Sequence, residues 1–435
     1  MTTRLLEVTT SERILLVVVE LAPRRATRRF AFVPRQHWTV ADEAAELRDL
    51  VTSCRGEIIG EIRCRRVEPT PTFVIGRGKV EEIAAAAQAA AIHCVVFNIE
   101  LSPAQQRNLE DIIGLKTIDR TQLILDIFAQ RARSQEGKIQ VELAQLAYLL
   151  PRLTGQGVLL SRLGGGIGTR GPGEQKLEVD RRRIRSRITH LDRALDAVTR
   201  RRAATRRKRT ERQVPTVALV GYTNAGKTTL FNALTAAAAP AESRLFTTLD
   251  PLARRLTLPN RQTVILLDTV GFLHRLPHHV IDAFKATLEE TASADLLLCV
   301  VDASDPLALE RGEAVCEVLR ALQVERTPQL FVFNKLDVLE DPARLRQLER
   351  TFGAGVAVSA TTGQGVPALL EQLVRLLGER SIVGTLVIPA NRYALIERLY
   401  QEGEVLTLTY EQEGYVVEGR IPVSIKWLYE PYLRS

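Results

Sequence analysis

The chain has 435 residues, of which 45% are apolar, and its formal net charge is +8. This length exceeds one ordinary hydrophobic core and predicts roughly two to four domains. The positive charge favours an acidic partner such as nucleic acid, although a genome biased toward arginine codons explains it equally well. Five scattered cysteines indicate reduced thiols, and the apolar run 14–19 is too short to span a bilayer. We therefore expect a soluble cytoplasmic protein.

The N-terminal part alternates strand-like and helix-like segments. We treat residues 1–40 as an extension and residues 41–133 as an α/β subdomain with a parallel sheet. Strands are predicted at 72–75 and 92–97. Ser102 followed by Pro103 predicts the start of a helix, because serine caps a helix and proline suits its first turn.

Two apolar seams follow within residues 134–212. The spacing of leucines and isoleucines by three and four residues, first over 139–153 and then over 177–198, is typical of paired helices. A glycine-rich run at 164–173 separates them. We predict an antiparallel helical hairpin with a glycine-rich tip, whose second helix is rich in arginine and ends in a basic linker.

Residues 213–378 also alternate strand-like and helix-like segments, and residues 379–435 form a small α/β C-terminal domain. The predicted fold class is therefore α/β, in which the region 213–378 is preceded by the α/β subdomain and the helical hairpin.

The phosphate loop is the most specific motif. An apolar strand at 216–220 leads into G-x-x-x-x-G-K-[ST], whose backbone N–H groups cradle phosphates while the lysine contacts the β- and γ-phosphates. The residues assigned to this loop and the helix start are Gly221, Tyr222, Thr223, Asn224, Ala225, Gly226, Lys227, Thr228 and Thr229.

Two further segments complete the predicted phosphate and metal site. Asp268 ends an apolar strand and is placed to hold Mg²⁺, together with the hydroxyls of Thr228 and the switch residue Thr248. Gly271 allows a backbone N–H to reach the γ-phosphate. Lys227, Thr248 and Gly271 are the predicted catalytic residues.

The base is predicted to be guanine. In Asn334-Lys335-Leu336-Asp337, the Asp337 carboxylate can accept hydrogen bonds from the guanine N1–H and 2-amino group, a donor pair that adenine lacks. Asn334 can bond the base edge, and the Lys335 stem can cover its face. Ser359 and Ala360 place a backbone N–H near guanine O6. GTP is thus the expected substrate, and residues 213–378 are predicted to form a P-loop GTPase domain, preceded by the α/β subdomain and the antiparallel helical hairpin and followed by the small α/β C-terminal domain.

Two residues qualify the expected catalysis. Phe272 stands where Ras-like enzymes carry the glutamine that orients the attacking water, so intrinsic hydrolysis should be slow. Asn224 has two interpretations: it holds a K⁺ ion beside the phosphates, as in several GTPases, or it stabilises the loop.

The GYTNAGKT, LFTTLDP and DTVGF segments resemble the bacterial HflX family of GTPases. Segments outside the nucleotide site resemble it too, at 78–83, 101–110, 119–133, 140–146 and 165–174. The resemblance covers about residues 45–378 and implies a stress-related translation factor that binds the 50S ribosomal subunit and its 23S rRNA and splits stalled or idle ribosomes. The hairpin would enter the ribosome, with Gly165, Gly166, Arg170 and Arg181 as contacts.

Alternatives remain open from the sequence. One is a GTP-gated RNA-binding module or assembly checkpoint that splits nothing, and another is a regulator of a membrane protease that acts through partners. The resemblance also implies ATP use by the N-terminal domain, but Gly76–Lys79 falls short of a phosphate-binding fingerprint and favours a structural turn. We expect a monomer without membrane insertion.

Overall fold

The computed structural model describes residues 12–21, 38–153, 172–211, 214–235, 246, 252–274, 291–324, 327–377, 381–411, 414–422 and 425–434. The chain divides into two compact units. The first comprises 1–195, 244–246 and 276–284, and the second comprises 196–243, 247–275 and 285–435. None of the helices in these described ranges has the length and apolarity needed to cross a membrane.

The first unit is built on a four-stranded parallel sheet in the order β2-β1-β3-β4. Its strands are β1 Arg13–Leu21, β2 Glu57–Arg66, β3 Cys94–Phe97 and β4 Lys116–Asp119. The apolar run of β1 is buried, as expected for an interior strand covered on both faces. This corrects the predicted boundary at residue 41, because the supposed extension contains an interior strand of the α/β subdomain.

Four helices cover this sheet: α1 Val40–Ser53, α2 Arg77–Ala89, α3 Pro103–Ile113 and α4 Arg120–Arg131. The predicted start of α3 is confirmed, since Ser102 forms a capping box with Gln105. The predicted strand at 72–75 is wrong. This stretch is a turn closed by a bridge between Thr70 and Val74, and Val74 has a left-handed φ of 68° that interrupts extended backbone.

The region of the predicted hairpin contains α5 Gln135–Leu149 and α6 Pro172–Glu211. Residues 164–171 of the glycine-rich run lie outside the described residues. On α5 the buried side does not follow the predicted seam. Its buried residues are Glu136, Gly137, Ile139, Gln140, Val141, Ala144 and Tyr148, whereas Leu143, Leu146 and Leu150 are only partly buried. The reason is that α5 packs on α4, so tertiary contact with the α/β subdomain sets its buried face.

The second unit contains a six-stranded sheet in the order β10-β9-β8-β5-β7-β6, parallel except for the β6–β7 pair. The strands are β5 Thr216–Gly221, β6 Leu252–Thr257, β7 Thr263–Asp268, β8 Leu296–Asp302, β9 Gln329–Asn334 and β10 Val356–Ala357. The helices are α7 Lys227–Thr235, α8 Ala308–Ala321, α9 Pro342–Phe352 and α10 Val366–Leu377. This is the predicted GTPase fold, and its motifs follow the carboxyl ends of the parallel strands.

The C-terminal part is a three-stranded antiparallel sheet in the order β11-β13-β12. It comprises β11 Ser381–Ile388, α11 Tyr393–Glu402, β12 Glu404–Glu411, β13 Gly414–Pro422 and α12 Lys426–Tyr429. A separate apolar core, with Leu386, Ile396 and Val417 among its fully buried members, holds it together.

One arginine joins this C-terminal part to the GTPase sheet within the second unit. Arg261 lies in the turn between β6 and β7, and its Nη1 donates at 3.0 Å to both the Tyr400 and the Gly403 carbonyl oxygens. These carbonyls lie at the C-terminal end of α11, where a cation is favoured by the helix dipole.

Candidate nucleotide-binding site

The phosphate loop connects the end of β5 to the start of α7, as the motif requires. Lys227 is buried, and its Nζ donates to the carbonyl oxygens of Gly221 at 3.1 Å and Tyr222 at 2.8 Å. Burial lowers the pKa of Lys227 to about 8, opposed in part by the negative charge of Asp268. The ammonium is therefore held inside the loop by oxygen acceptors that phosphate oxygens could replace.

Two glycines permit the close approach of backbone segments around this lysine. Gly226 has a left-handed φ of 89°, and a Cβ there would collide with the Asn334 amide. A Cβ on Gly271 would lie 2.8 Å from the Thr223 Cα and 3.0 Å from the Lys227 Nζ. Gly271 thus lies directly against the phosphate loop, near the ammonium predicted to bind the γ-phosphate.

The predicted metal ligands Thr228 and Asp268 are brought together. The Thr228 hydroxyl donates to Asp268 Oδ2 at 2.8 Å, and both residues are buried. A hydroxyl and a carboxylate are the hard oxygen donors that Mg²⁺ prefers, so this pair fits the ion. Thr247 and Thr248 lie outside the described residues, and the third predicted ligand stays a prediction.

Phe272 is turned into the protein, with an exposed fraction of 2%. Its backbone pairs with the phosphate loop in a parallel bridge, since Phe272 N donates to Gly221 O at 3.0 Å and Thr223 N donates to Phe272 O at 2.8 Å. The position that carries a catalytic glutamine in Ras-like enzymes is therefore occupied by a core side chain.

The base-recognition segments are adjacent, but their polar groups also bond one another. Asn334 Nδ2 donates to Ala225 O at 2.9 Å, and Asn334 Oδ1 accepts from Ala360 N at 3.0 Å. Ser359 N donates to Gln364 O at 2.9 Å. Here Asn334 connects the phosphate loop to the segment after β10, which sequence reasoning did not anticipate. The predicted contacts of Asn334 and Ala360 with guanine stay predictions.

Lys335 and Asp337 complete this part of the site. The Lys335 Nζ lies 2.7 Å from Asp302 Oδ2, and Asp337 is exposed. Sequence reasoning missed Asp302. Its position at the carboxyl end of β8, next to two strands that end in motif residues, was the available signal.

Asn224 is exposed and has a left-handed φ of 62°. Asparagine adopts this conformation more readily than most residues, so the backbone alone accounts for its presence in the loop. This supports the loop-stabilising interpretation without testing the K⁺ interpretation.

The N-terminal turn at Gly76 has the features of a structural element. Gly76 caps α2, and the two cations that follow it are paired on the helix, Arg77 with Glu81 at 3.1 Å and Lys79 with Glu82 at 2.8 Å.

Of the predicted ribosome contacts, only Arg181 is described. It is partly exposed near the start of α6. Gly165, Gly166 and Arg170 lie outside the described residues.

Three family models match consecutive parts of the chain. They are described as GTP-binding GTPase N-terminal over residues 41–129, GTP-binding GTPase Middle Region over 131–209, and 50S ribosome-binding GTPase over 216–335. The third covers the phosphate loop and the strands β5 to β9 of the GTPase sheet.

Curated relatives match over most of their length. GTPase HflX of Caldanaerobacter subterraneus subsp. tengcongensis is 45% identical over 381 residues, which cover 88% of each chain. GTPase HflX of Escherichia coli (strain K12) is 45% identical over 388 residues, which cover 89% of this chain and 91% of the relative. A solved GTP-binding protein of Sulfolobus solfataricus in complex with GDP covers 84% of this chain and 98% of its own at 23% identity, with a TM-score of 0.43. The chain belongs to the HflX family and is a GTP-hydrolysing enzyme.

Proposed function

We propose that this GTPase binds the 50S ribosomal subunit through α6 and the glycine-rich segment before it, and that it splits stalled or idle 70S ribosomes. Family membership and the match to the 50S ribosome-binding GTPase model support the ribosome as the partner. Binding would take place in the cytoplasm, with the protein acting as a monomer.

The observation that carries the proposal is the charge of α6. Residues 172–211 contain 14 Lys and Arg against 6 Asp and Glu, so this one helix has a net charge of +8, equal to that of the whole chain. Its exposed arginines include Arg182, Arg183, Arg185, Arg187 and Arg193. A positive surface of this kind binds the phosphate backbone of RNA by displacing counterions.

The last described residues before the undescribed stretch 154–171 are fixed within the first unit. Arg152 donates to Leu101 O at 2.7 Å and Tyr148 O at 3.0 Å, and it lies 3.4 Å from the fully buried carboxylate of Asp119. On α6, Arg187 pairs with Glu142 of α5 through two contacts of 2.7 and 2.9 Å. This exposed pair adds little stability but can set the register of the two helices.

The nucleotide would act as the switch. Bound Mg²⁺ would neutralise phosphate charge, held by Thr228, Thr248 and, through water, Asp268. Lys227 would bind the β- and γ-phosphates and Gly271 would donate its N–H to the γ-phosphate. With Phe272 in the core, we propose slow intrinsic hydrolysis that the ribosome stimulates, with K⁺ held by Asn224 as an additional charge. GTP would favour docking, and hydrolysis would release the protein.

Sucrose-gradient profiles of purified 70S ribosomes test the proposal. With the protein and a non-hydrolysable GTP analogue, we expect the 70S peak to convert to 30S and 50S, with the protein in the 50S fractions. Intact 70S particles would contradict splitting, and binding only to free or precursor 50S particles would indicate an assembly checkpoint instead.

A charge-reversed pair tests the role of α6. Arg182→Glu with Arg185→Glu should weaken 50S binding at least tenfold and reduce its salt dependence, while basal GTPase activity is unchanged. The matched control is Arg346→Glu with Arg350→Glu, two exposed arginines on α9. Equal losses in both variants would show a nonspecific charge effect and remove α6 from the interface.

A further inference from the structure

Two charged side chains that meet beside the predicted base site have no assigned role as a pair. Asp302 ends β8, and Lys335 follows the end of the neighbouring strand β9, where Asp302 lies opposite Asn334 in the sheet. The Lys335 Nζ is 2.7 Å from Asp302 Oδ2, and the exposed fractions of the two side chains are 29% and 14%. Because both are partly buried, solvent screens this pair less than it screens a surface ion pair.

Both members of the pair are held in place by further hydrogen bonds. Asp302 Oδ1 accepts from the Ser304 N–H at 3.0 Å and from the Ser304 hydroxyl at 2.5 Å, so the carboxylate has a fixed orientation. The Ser304 carbonyl oxygen in turn accepts from Arg344 of α9 at 2.6 Å. The Lys335 backbone has a left-handed φ of 66°, and its carbonyl oxygen accepts from the Val338 N–H at 3.2 Å. The lysine ammonium is therefore held at the carboxyl end of β8.

The competing partner for this ammonium is Asp337, the residue predicted to read guanine. Lys335 and Asp337 belong to one short helical turn and are two residues apart, so their Cα atoms are separated by at most about 7 Å. The four-carbon stem of lysine can bridge that distance. Asp337 is exposed, and its carboxylate has no ion pair with any residue of the described ranges. A pair between Lys335 and Asp337 would occupy the oxygen atoms that the guanine donors need.

We propose that Asp302 is a positioning residue for base selection, which binds the Lys335 ammonium and thereby leaves the Asp337 carboxylate available to guanine. Without the Asp302 charge, the ammonium pairs with Asp337, and the carboxylate then gains less from the guanine N1–H and 2-amino group. The proposal rests on the predicted reading of guanine by Asp337 and is independent of any ribosome binding.

The test compares the affinities of GDP and inosine diphosphate (IDP), which lacks the 2-amino group, by calorimetry with Mg²⁺ on the full chain. In the wild-type protein, the hydrogen bond from the 2-amino group to the Asp337 carboxylate should make GDP bind about tenfold more tightly than IDP. Asp302→Asn should lower the GDP affinity and bring the ratio of the two affinities close to one.

A second substitution separates positioning from a structural role. Adding Lys335→Met to Asp302→Asn removes the ammonium, keeps most of the apolar stem and should return the affinity ratio to the wild-type value. A structural defect caused by Asp302→Asn would not be reversed in this way. The matched control is Asp305→Asn in the same loop, whose carboxylate pairs with Arg311 of α8. This control should leave the ratio unchanged.

The outcomes distinguish this proposal from the base assignment beneath it. A wild-type ratio well above one that Asp302→Asn leaves unchanged would overturn the proposal. A low ratio that persists in the double variant, or an equal fall in Asp305→Asn, would overturn it too. A wild-type ratio near one would contradict the reading of guanine by Asp337 itself, and the proposal would fall with that assignment.

Discussion

Asn334 and Ala225 are joined by a 2.9 Å hydrogen bond from the asparagine side chain to the carbonyl oxygen of the phosphate loop. The same side chain accepts the Ala360 N–H, so one buried amide connects the loop that binds phosphate to the segment expected at the base. Asn334→Ala would leave both partners unsatisfied and should lower the free energy of unfolding by about 2–3 kcal/mol. Chemical denaturation followed by circular dichroism measures this loss.

Nucleotide affinity should fall in the same variant. Asn334→Asp is the comparison, because its carboxylate still accepts from Ala360 N but sets a buried negative charge against the Ala225 carbonyl oxygen. If Asn334→Ala bound GDP as tightly as the wild type, the connection between the two loops would have no part in binding.

Lys227 should make nucleotide binding dependent on pH. Its pKa is about 8 in the nucleotide-free protein, below the ordinary value of 10.5, and phosphate oxygens should raise it. Binding at pH 8.5 should therefore take up roughly 0.7 of a proton at this site, and affinity should decline as pH rises above 8. Calorimetry in buffers of different ionisation enthalpy measures the uptake.

The lowered pKa of Lys227 also makes the free energy of unfolding depend on pH. Between pH 8 and 10.5 the unfolded chain holds this proton and the folded chain does not, so the Lys227 contribution to stability rises with pH in that window. At pH 7 both states are protonated, and proton uptake by this lysine on binding should vanish there. Equal uptake at pH 7 and 8.5 would assign the proton to another group.

Phe272→Gln should not accelerate hydrolysis, although it restores the residue type found in Ras-like enzymes. The side chain at this position is buried, and its backbone is paired with the phosphate loop. The amide would be buried away from the attacking water and should destabilise the protein by about 2–4 kcal/mol. Single-turnover hydrolysis and thermal unfolding, with Phe272→Leu as the apolar control, measure both effects. A faster Phe272→Gln enzyme would show that the segment leaves the core during catalysis.

A variant of Asn224 can distinguish the role of this residue in the loop conformation from a role in binding K⁺. Asn224→Gly keeps the left-handed φ of 62° accessible and removes the side chain. We expect wild-type turnover to be several-fold faster in KCl than in NaCl and Asn224→Gly to show equal rates in both salts. Equal rates in the wild-type enzyme would end the potassium hypothesis, leaving the loop conformation as the reason for asparagine.

Removing Arg152 should strongly destabilise the first unit. Arg152→Met takes the cation away from Asp119, whose carboxylate is fully buried, and should lower stability by about 3 kcal/mol. Arg77→Met, at an exposed pair with Glu81, is the control and should change stability by less than about 0.5 kcal/mol. Hydrogen exchange of α4 measures the local effect. Equal protection in both variants would contradict the anchoring role.

The sequence predicted where the motif residues lie in the fold better than it predicted how the helices pack. Lys227, Thr228 and Asp268 follow from local motifs, because strand ends in a parallel sheet place such residues at one edge. The buried face of α5 did not follow from its heptad-like spacing, since helix periodicity does not identify which neighbour a helix packs against. The strand at 72–75 was mispredicted because the left-handed backbone of Val74 has no signal in its side chain.

The contact of Arg261 with the end of α11 connects the C-terminal part to one end of β7. From that turn, β7 continues without interruption from Thr263 to Asp268, the aspartate at the predicted magnesium site. β7 is paired on both sides, with β5 and with β6. The turn that contacts α11 and the predicted magnesium ligand Asp268 are therefore the two ends of one paired strand about 20 Å long, along which we expect a displacement of α11 to reach Asp268.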